Sequence, residues 1–486
     1  MSINEFISDR NPWLYGAKYK LPAFKRTTFF DLKEEIMSMK KSSCIVILGP
    51  RRVGKTITLL QLAQELSSEF GSDSVLYIPV DEAIELISND FSLHKIIDFW
   101  RKIFGRGKFP RYIFLDEAQY AKDWSVIVKG IIDRANRYGE KVVIVATGSS
   151  EIGIKIGAGE SLYGRLSIIR MFPLSLLECI GLMDDDPAYS EVAVQVRNDA
   201  LSGLVYQKED LLENGLDTIH NTLIKRNRRM EDALHVLASY GGLPEIVDLY
   251  KSGVSHDKIA RRIRELVDIA ILRDALRMQS LYELESVPAE DLSKIFRIIS
   301  FQSPSTISIN TLARQLGVNW RKVKQAITLL NYANLIKFAE PYAKDPLVME
   351  RKKLKKLFTA DISFRNIVRD KLGPEIIADS DEMGKVAENL TLIHAQRISF
   401  LLGYPSSEIF FWRTKGGEYE VDVILKAKNT VAMEVKIQKT KKLRGLEKFK
   451  EYATNSVSYV ISMEQEVVEK INGNVVLPLS YFLSIG

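Results

Sequence analysis

Residues 49–56 read Gly49-Pro50-Arg51-Arg52-Val53-Gly54-Lys55-Thr56. The apolar residues 44–48 precede this stretch with the composition of a strand, and residues 57–66 follow it with apolar side chains at helical spacing. A phosphate-binding loop requires a strand, a glycine-containing turn and a helix in this order. The two glycines let successive backbone N–H groups point at one anion, and the start of the helix adds the positive end of its dipole. The stretch therefore predicts a phosphate-binding loop, or P-loop.

Two side chains at the end of this loop carry the predicted chemistry. Lys55 would reach the β- and γ-phosphates of ATP, and the Thr56 hydroxyl would ligate Mg²⁺. The bare pattern arises by chance in on the order of a few per cent of chains of this length, and the correct flanks make it rarer. The competing interpretation is an ordinary turn that contains glycine. We predict that residues 49–56 bind ATP together with Mg²⁺.

A pair of acids follows a second apolar strand. Residues 112–115 are apolar and lead directly into Asp116 and Glu117. Open α/β sheets bind their ligands at the carboxyl ends of the strands. Asp116 would therefore hold Mg²⁺ through water, and Glu117 would polarise the water that attacks the γ-phosphate. An Asp-Glu pair after a strand is a weak signal alone, but downstream of a P-loop it is a strong one.

Small hydroxyl residues end the next predicted strand, residues 141–147, which runs into Gly148-Ser149-Ser150. Thr147 and Ser149 are the candidates to sense the γ-phosphate, and the alternative is a turn rich in Gly and Ser. Strands alternate with helical segments throughout this part of the chain. That alternation predicts an α/β fold with a parallel, doubly wound sheet.

Arg165 lies downstream, in Gly164-Arg165. Its guanidinium has the charge needed to stabilise the transferring phosphoryl group, either in its own chain or on a neighbour's site. The second arrangement requires a homo-oligomer, a dimer or a ring. The alternative is a surface residue that forms a salt bridge.

Composition bounds the class of protein. With 486 residues, the chain is long enough for about three domains, and its net charge of +6 permits an anionic partner. Cys44 and Cys179 are the only cysteines, which excludes a disulfide framework and a zinc site built from cysteines. The sequence has no apolar run near the ~20 residues of a membrane span, and residues 1–5 lack the pattern of a signal peptide. We therefore expect a cytoplasmic location and no membrane partner.

The middle of the chain has the pattern of a winged helix-turn-helix. Residues 306–327 fit two short helices broken at Gly317, and residues 335–338 could begin a wing strand. The exposed face of the second helix would present polar and basic side chains suited to phosphates and base edges, namely Asn319, Arg321, Lys322, Lys324 and Gln325. We expect DNA as the partner, while a spacer or protein contact is the alternative.

A basic run, residues 351–356, lies just beyond this segment. A run of like charges is usually a solvated loop. Next to the predicted winged helix-turn-helix, however, this run favours contact with a nucleic-acid backbone, and such contact should weaken as the salt concentration rises.

The C-terminal third predicts a helix, three strands, a second helix and a further strand. The first helix begins at Met383 and runs to about Leu402, and the strands are residues 408–413, 419–425 and 431–437. The second helix spans residues 443–452, and residues 457–461 form the last strand. Strand alternation sends Glu434 and Lys436 to the same face, with Asp422 on the neighbouring strand and Glu388 approaching from the helix.

Such a cluster of acids has a chemical consequence. Two carboxylates ~4 Å apart repel by about 4 kcal/mol at an effective dielectric of 20, so Glu388, Asp422 and Glu434 would favour Mg²⁺ or Mn²⁺. The metal would lower the pKa of a bound water, and Lys436 would orient or activate that nucleophile beside a phosphodiester. The basic run 439–444 fits a nucleic-acid backbone. The alternative is a set of salt-bridged strand residues in an inactive fold.

Several elements occur together in a fixed order: residues 49–56, Leu115-Asp116-Glu117-Ala118-Gln119 with Trp124, Thr147-Gly148-Ser149-Ser150, Gly164-Arg165, and Gly241-Gly242-Leu243-Pro244-Glu245. Together they resemble the prokaryotic AAA-type ATPases, common in archaea, that carry a C-terminal nuclease-like domain of the DUF4143 type. The order of elements around Asp422 and Glu434-X-Lys436 resembles the PD-(D/E)XK nuclease fold, with Val421 where that pattern has proline.

The resemblance implies four segments. They are a P-loop AAA-type core over residues 1–175, a helical lid over 176–285, a winged helix-turn-helix over 286–360 and a nuclease-like α/β domain over 361–486. This chain departs from the pattern at residues 181–229, a polar and charged stretch that predicts an enlarged lid or an insertion.

The expected function is ATP hydrolysis by an AAA-type protein that acts on DNA, joined to metal-dependent cleavage of DNA. One alternative is a nucleotide-gated switch that binds DNA or protein while its nuclease-like domain is inactive. Another is an adaptor that uses the winged helix for protein contacts.

Overall fold

The structure is a computed structural model of the chain. The residues that it describes are 1–87, 92–104, 110–121, 123–148, 162, 164–226, 229–281, 286–343, 354–373, 376, 379–404, 408–437 and 443–486. These residues divide into two compact units, Met1–Phe172 and Pro173–Gly486.

The described part of the first unit is built on a five-stranded sheet with the strand order β2-β3-β4-β1-β5. All of its neighbouring strands are parallel. The strands are β1 Ser43–Leu48, β2 Val75–Pro79, β3 Arg111–Asp116, β4 Val142–Gly148 and β5 Leu166–Arg170. The predicted parallel α/β sheet is confirmed.

Helices cover both faces of this sheet. Alternate residues of β1 point to opposite faces, so Val46 belongs to one buried cluster and Ile45 to the other. Burial on both faces explains why these strands read as continuous apolar runs rather than as alternating ones. The helices of this unit are α1 Ile3–Arg10, α2 Thr27–Ser38, α3 Lys55–Phe70, α4 Val80–Leu86, α5 Leu93–Ile103 and α6 Trp124–Arg137.

The described part of the second unit contains a nine-stranded mixed sheet with the order β13-β14-β12-β11-β10-β9-β7-β8-β6. Its strands are β6 Ser305–Ser308, β7 Ile336–Pro341, β8 Leu354–Thr359, β9 Phe410–Arg413, β10 Glu420–Leu425, β11 Thr430–Lys436, β12 Ser456–Ser462, β13 Glu469–Ile471 and β14 Asn474–Pro478. The strands predicted in the C-terminal third are present. The sheet also continues beyond them through β14 and β13.

Many helices surround this sheet. They are α7 Leu176–Asp184, α8 Ala188–Tyr206, α9 Glu209–Lys225, α10 Met230–Tyr240, α11 Pro244–Lys251, α12 His256–Ile269, α13 Leu276–Leu281, α14 Ala289–Gln302, α15 Ile309–Leu316, α16 Trp320–Tyr332, α17 Ile362–Val368, α18 Ser380–Leu401, α19 Arg444–Tyr452 and α20 Leu479–Phe482. A π-helical turn, Ala270–Ala275, connects α12 to α13.

The helices predicted around Gly317 are α15 and α16, and Gly317 ends α15 in the left-handed conformation with φ of 65°. Glycine adopts this conformation without the steric penalty of a Cβ atom, so the helix stops there. The predicted wing strand is β7, which pairs antiparallel with β8. At its far end, β7 also pairs parallel with β9 through Glu340 and Phe410. The middle segment and the C-terminal strands therefore share one sheet.

Most of the polar stretch 181–229 lies in the two long helices α8 and α9. The end of α8 is tied to the C-terminal strands, because the Tyr459 hydroxyl donates to the carbonyl oxygens of Gly203 and Leu204 at 2.9 and 2.8 Å. Asn429 Nδ2 also donates to the carbonyl of Val205 at 3.0 Å. This stretch therefore packs against the C-terminal part of its own unit.

The prediction of a solvated loop over the basic run 351–356 is wrong for its last three residues. Leu354, Lys355 and Lys356 begin β8, and Lys356 is buried. Residues 351–353 and 438–442, which include most of the second basic run, lie outside the described residues.

Among the described residues, no helix combines the length and the apolar character needed to cross a membrane.

Candidate functional site

The P-loop connects β1 to α3 through a tight backbone turn. Gly54 caps α3 with φ of 100°, and Arg52 also has a positive φ of 64°. A Cβ atom at Gly49 would collide with the carbonyl oxygen of Met171, so a side chain has no room there. Both glycines of the pattern are thus required by the backbone, one for its conformation and one for its close approach.

The Lys55 ammonium lies over the curled loop. It is buried and donates to the carbonyl oxygens of Gly49 at 2.9 Å and Pro50 at 2.8 Å. This position places a positive charge beside the backbone turn and the start of α3. The three features together form a site for an anionic phosphate.

Arg26 supports the loop from behind, and sequence reasoning missed it. Its guanidinium is buried and donates to the carbonyl oxygens of Val53 at 2.6 Å and Phe172 at 2.8 Å. No motif surrounds Arg26 in the sequence. Its role comes from contacts with residues 27 and 146 positions away, which a local pattern does not reveal.

Asp116 lies at the carboxyl end of β3, beside the P-loop. The Thr56 hydroxyl donates to Asp116 Oδ2 at 2.7 Å, the Tyr77 hydroxyl donates to the same oxygen at 3.2 Å, and the Thr147 hydroxyl donates to Oδ1. Burial raises the pKa of Asp116 above its ordinary value, although Thr147 and Thr56 stabilise the ionised form. These three donors are neutral, so they satisfy the lone pairs without neutralising the charge.

Glu117 adopts the left-handed conformation with φ of 51°, which is uncommon for a residue with a side chain. Its backbone N–H donates to the Thr147 hydroxyl at 2.9 Å, and Gln119 Nε2 donates to its carboxylate. The second acid of the pair is therefore held both at its backbone and at its side chain.

Thr147 joins the two acids, because its hydroxyl accepts from the Glu117 N–H and donates to Asp116. The sequence singled out Thr147 and Ser149 as candidates to sense the γ-phosphate. Ser149 lies outside the described residues. The contacts of Thr147 assign it a positioning role toward both acids.

Thr56 and Asp116 supply a hydroxyl and a buried carboxylate, which are the oxygen ligands that Mg²⁺ takes in proteins. The pair meets between the P-loop and β3, as the sequence predicted. These residues therefore fit the predicted metal ion.

Arg165 lies at the other end of the sheet. Its carbonyl accepts the N–H of Cys44 at the start of β1, whereas Lys55 follows the end of that strand. Its guanidinium pairs with Asp133 at 2.6 Å. The structure thus does not bring Arg165 to the P-loop of its own chain, and its action on a neighbour's site stays a prediction.

The C-terminal residues that the sequence grouped do lie together. A cleft of about 600 Å³ is lined by Lys385, Glu388, Glu418, Tyr419, Glu420, Asp422, Glu434, Lys436, Arg444 and Gly445. Glu434 and Lys436 share one face of β11 and form an ion pair at 2.6 Å. The predicted clustering of Glu388, Asp422, Glu434 and Lys436 is therefore present in the fold.

Lys356 enters the same cluster from β8. Its ammonium lies 2.7 Å from Glu388 Oε1, 3.0 Å from Asp422 Oδ1 and 3.1 Å from Glu420 Oε1, and its side chain is only 3% exposed. Sequence reasoning missed this residue, because Lys356 looked like one member of a basic run. Its 66-residue separation from Asp422 gave no local signal.

The acids of this cluster differ in their electrostatics. Burial opposes ionisation of Asp422, yet the Lys356 ammonium and the Val435 N–H, which donates to Oδ2 at 3.0 Å, lower its pKa below the ordinary value. Burial raises the pKa of Glu434, and its Oε2 atom has no hydrogen-bond partner among the described residues. Within the described part of the chain, no set of three or more His, Cys, Asp or Glu side chains is arranged as a metal site. The metal predicted at Glu388, Asp422 and Glu434 stays a prediction.

The P-loop, the acidic strand end and the five-stranded sheet define the first unit as an AAA-type P-loop fold. Comparison with known families agrees, because residues 41–180 match the AAA domain family. Residues 383–482 match a family described as a domain of unknown function, DUF4143, and residues 231–374 match another such domain, DUF8612. The chain thus carries an AAA domain followed by a C-terminal DUF4143 domain, as the resemblance in the sequence indicated.

One relative spans nearly the whole chain. The uncharacterized protein MJ1637 of Methanocaldococcus jannaschii is 23% identical over 470 residues, which cover 94% of this chain and 89% of that protein. Among solved structures, the Aeropyrum pernix ORC2 protein in its ADP form is 12% identical and covers 74% of this chain and 98% of its own, with a TM-score of 0.33. The Aeropyrum pernix ORC1 protein in complex with DNA is 13% identical, covers 74% and 96%, and has a TM-score of 0.29.

Proposed function

We propose that this protein binds ATP with Mg²⁺ and hydrolyses it at the site formed by the P-loop and the end of β3. The observation that carries the proposal is the 2.7 Å hydrogen bond between the Thr56 hydroxyl and Asp116, made beside the loop over which Lys55 lies. A phosphate-binding loop and an acidic strand end are the two parts that P-loop hydrolysis needs. Both belong to the AAA domain.

The residues divide the work of hydrolysis among them. The P-loop N–H groups and Lys55 would bind the β- and γ-phosphates, and Thr56 and Asp116 would hold Mg²⁺ with its water ligands. When bound, the metal neutralises charge on the phosphates. Glu117 would take a proton from the attacking water, and its contacts with Thr147 and Gln119 keep its carboxylate in place.

The substitution Glu117→Gln tests this assignment. It keeps the shape of the side chain but removes the base, so we expect ATP turnover to fall by about 10²-fold or more while ATP binding is retained. Turnover measured by phosphate release, together with binding of a fluorescent ATP analogue, separates the two effects. Turnover equal to that of the unaltered protein would contradict the role of Glu117.

We further propose that DNA is the partner, contacted through α16. Asn319, Arg321 and Lys324 are exposed, and Trp320 beside them is 48% exposed. Lys322 is instead engaged with Asp291 at 2.6 Å. Exposed basic and amide side chains on one helix support contact with phosphates and base edges.

Binding of duplex DNA over a series of salt concentrations tests this surface. We expect the double substitution Arg321→Ala and Lys324→Ala to weaken binding and to reduce the slope of log affinity against log salt by about 1 for each phosphate that is no longer neutralised. Lys294→Ala is a matched control, because Lys294 is an exposed lysine whose ion pair within the described part of the chain is local, with Glu290 four residues before it at 2.7 Å. An unchanged slope in the double variant would contradict this DNA surface.

Two candidate functions follow from whether the C-terminal domain cleaves DNA. Metal-dependent cleavage of DNA is the function predicted from Asp422, Glu434 and Lys436. The second candidate is a nucleotide-gated protein that binds DNA or another protein without cutting, and the contacts of Lys356 with the carboxylates favour it. Cleavage of DNA with Mg²⁺ or Mn²⁺ by the unaltered protein, lost in Asp422→Ala, would support the nuclease.

Measurements of ATP turnover and of nucleotide retention distinguish an ATP-driven enzyme from a nucleotide-gated switch. Multiple-turnover ATP hydrolysis that DNA accelerates would support an ATP-driven enzyme. A single turnover followed by tight retention of the nucleotide would support the switch.

A further inference from the structure

Lys356 links the middle segment of the second unit to the carboxylate cluster of the DUF4143 domain. It lies on β8, outside the residues that match that domain. In the strand order, β9 and β7 separate β8 from β10, which carries Asp422. The Lys356 side chain nevertheless reaches Asp422 and Glu388, two of the acids that the nuclease-like pattern assigns to a metal.

The charges of this cluster are balanced without a metal. Glu388 also pairs with Lys385 at 3.5 Å, and Glu420 pairs with Arg413 at 3.6 Å. With the pair of Glu434 and Lys436, four acids of the cluster are ion-paired with four bases: Glu388, Glu420, Asp422 and Glu434 with Lys356, Lys385, Arg413 and Lys436. Glu418 and Arg444, which also line the cleft, add one charge of each sign. A divalent cation would therefore meet no excess of negative charge here.

The ammonium and a metal would also need the same oxygen atoms. Lys356 Nζ contacts Glu388 Oε1 and Asp422 Oδ1, whereas Mg²⁺ would have to approach such oxygens to about 2.1 Å. The Lys356 ammonium lies within 3.1 Å of three carboxylates, those of Glu388, Glu420 and Asp422, so it serves them as a shared cation.

We propose that Lys356 is the built-in cation of this cluster and takes the place of a divalent metal. The unaltered protein accordingly binds neither Mg²⁺ nor Mn²⁺ at Glu388 and Asp422, and loss of the ammonium turns these acids into a site for a divalent cation. Glu434 Oε2, which no described residue engages in a hydrogen bond, belongs to the same cleft and offers this created site a further oxygen ligand. The proposal does not depend on ATP hydrolysis.

Binding of Mn²⁺ to the full chain without nucleotide tests the proposal, measured by the loss of the electron paramagnetic resonance signal of free Mn²⁺. We expect Lys356→Met to bind at least one more Mn²⁺ than the unaltered protein, because three acids lose their shared cation. The Mn²⁺ affinity of this cluster should be about tenfold or more higher in Lys356→Met than in the unaltered protein. Lys355→Met is the matched control. Lys355 is the adjacent residue of β8, but it pairs with Glu340 instead, so its loss should leave Mn²⁺ binding unchanged.

A second substitution locates the added site. Lys356→Met combined with Asp422→Asn removes a ligand together with the ammonium, so we expect the added Mn²⁺ binding to be lost. Mn²⁺ binding by the unaltered protein that matches Lys356→Met and disappears in Asp422→Asn alone would overturn the proposal. Added binding that survives in the double variant would also overturn it.

The loss of the Lys356 charge should also change how the thermal stability of the protein responds to Mn²⁺. We expect Mn²⁺ to raise the melting temperature of Lys356→Met but not that of Lys355→Met, since a ligand that binds only the folded state stabilises it. Should Lys356→Met fail to fold even with Mn²⁺, the variant Lys356→Met with Glu420→Gln, which removes one acid along with the ammonium, carries the test. The absence of added Mn²⁺ binding in that folded variant would overturn the proposal.

Discussion

Buried acids in the two units are held in opposite ways. In the first unit, Asp116 accepts hydrogen bonds from the hydroxyls of Thr56, Thr147 and Tyr77. In the second unit, Asp422 contacts the ammonium of Lys356 at 3.0 Å. Neutral hydroxyls orient a carboxylate without neutralising its charge, whereas an ammonium neutralises that charge in an ion pair. The same residue type is thus held by neutral donors at one site and paired with an ammonium at the other.

The pKa directions express this difference. Burial raises the pKa of Asp116, which means that burial disfavours its ionised form. Despite burial, Lys356 lowers the pKa of Asp422, whose ionised form is stabilised within the protein itself. A count of acids in the sequence does not separate these cases, because the partners of the acids decide them.

The largest effect that we predict is at the P-loop. Lys55→Ala should lower ATP turnover by at least about 10³-fold, since it removes the ammonium that we propose binds the β- and γ-phosphates. Turnover measured by phosphate release checks this expectation. Lys33→Ala is the control, because Lys33 pairs with Glu65 at 2.5 Å on the helix surface and should leave turnover unchanged. Normal turnover in Lys55→Ala would remove the basis for placing catalysis in the first unit.

Replacing each acid by its amide tests the comparison directly. Asp422→Asn should lower the free energy of unfolding by about 3 kcal/mol, because the buried Lys356 loses part of its compensation. Asp116→Asn should raise that free energy by about 1 kcal/mol in the absence of ligands, because it removes a buried charge whose hydrogen-bond donors are neutral hydroxyls. Denaturant unfolding of both variants, followed unit by unit with site-specific probes, measures the two signs. Equal signs would contradict the difference between the sites.

The two effects should also change with pH in opposite ways. The pKa of Asp422 is lower in the folded protein than in the unfolded chain, so its contribution to stability is full above about pH 4 and is lost as the pH falls through the folded value. The pKa of Asp116 is raised, so the gain in Asp116→Asn should be present at neutral pH and vanish near pH 4 and below. Unfolding measured between pH 7 and the lowest pH at which the protein remains folded gives the change in unfolding free energy for each variant. The two changes should have opposite signs at neutral pH, and both should shrink toward zero as the pH falls.

A smaller effect is expected at Thr147. Thr147→Val keeps the shape of the side chain but removes the hydroxyl that joins Asp116 to the Glu117 backbone, so turnover should fall by about tenfold. Thr147→Ser, which restores the hydroxyl, should recover most of that loss. The ratio of kcat to KM in the two variants is the measurement. A Val variant as active as the Ser variant would show that the hydroxyl does not position the acids.

The geometry of the P-loop and of the end of β3 could be predicted from the sequence because its parts are local. A strand, a loop and a helix in succession place Lys55 and Thr56, and the end of β3 places Asp116 at the same edge of the sheet. Thr147 was noticed, but its link between the two acids depends on β4 lying directly beside β3. Arg165 could not be located from its motif, because the direction of β5 sends it to the amino end of the sheet.

The C-terminal cluster was only half predictable. Strand alternation correctly grouped Glu434 with Lys436, and the neighbouring strand supplied Asp422. Lys356 could not be found this way, since its approach depends on how β8 is placed by the strands between it and β10. In the sequence it is one lysine among several, and the burial and the partners that distinguish it from Lys355 depend on the fold.

The pairing of β7 with β9 has a practical consequence for dissecting the protein. A fragment that begins after residue 360 would lack β7 and β8, so β9 would become a bare sheet edge open to aggregation. The same fragment would retain Glu388, Glu420 and Asp422 without Lys356. Its metal affinity would then describe the truncation rather than the intact protein, and a nuclease assay on the isolated DUF4143 segment would report on a different electrostatic site.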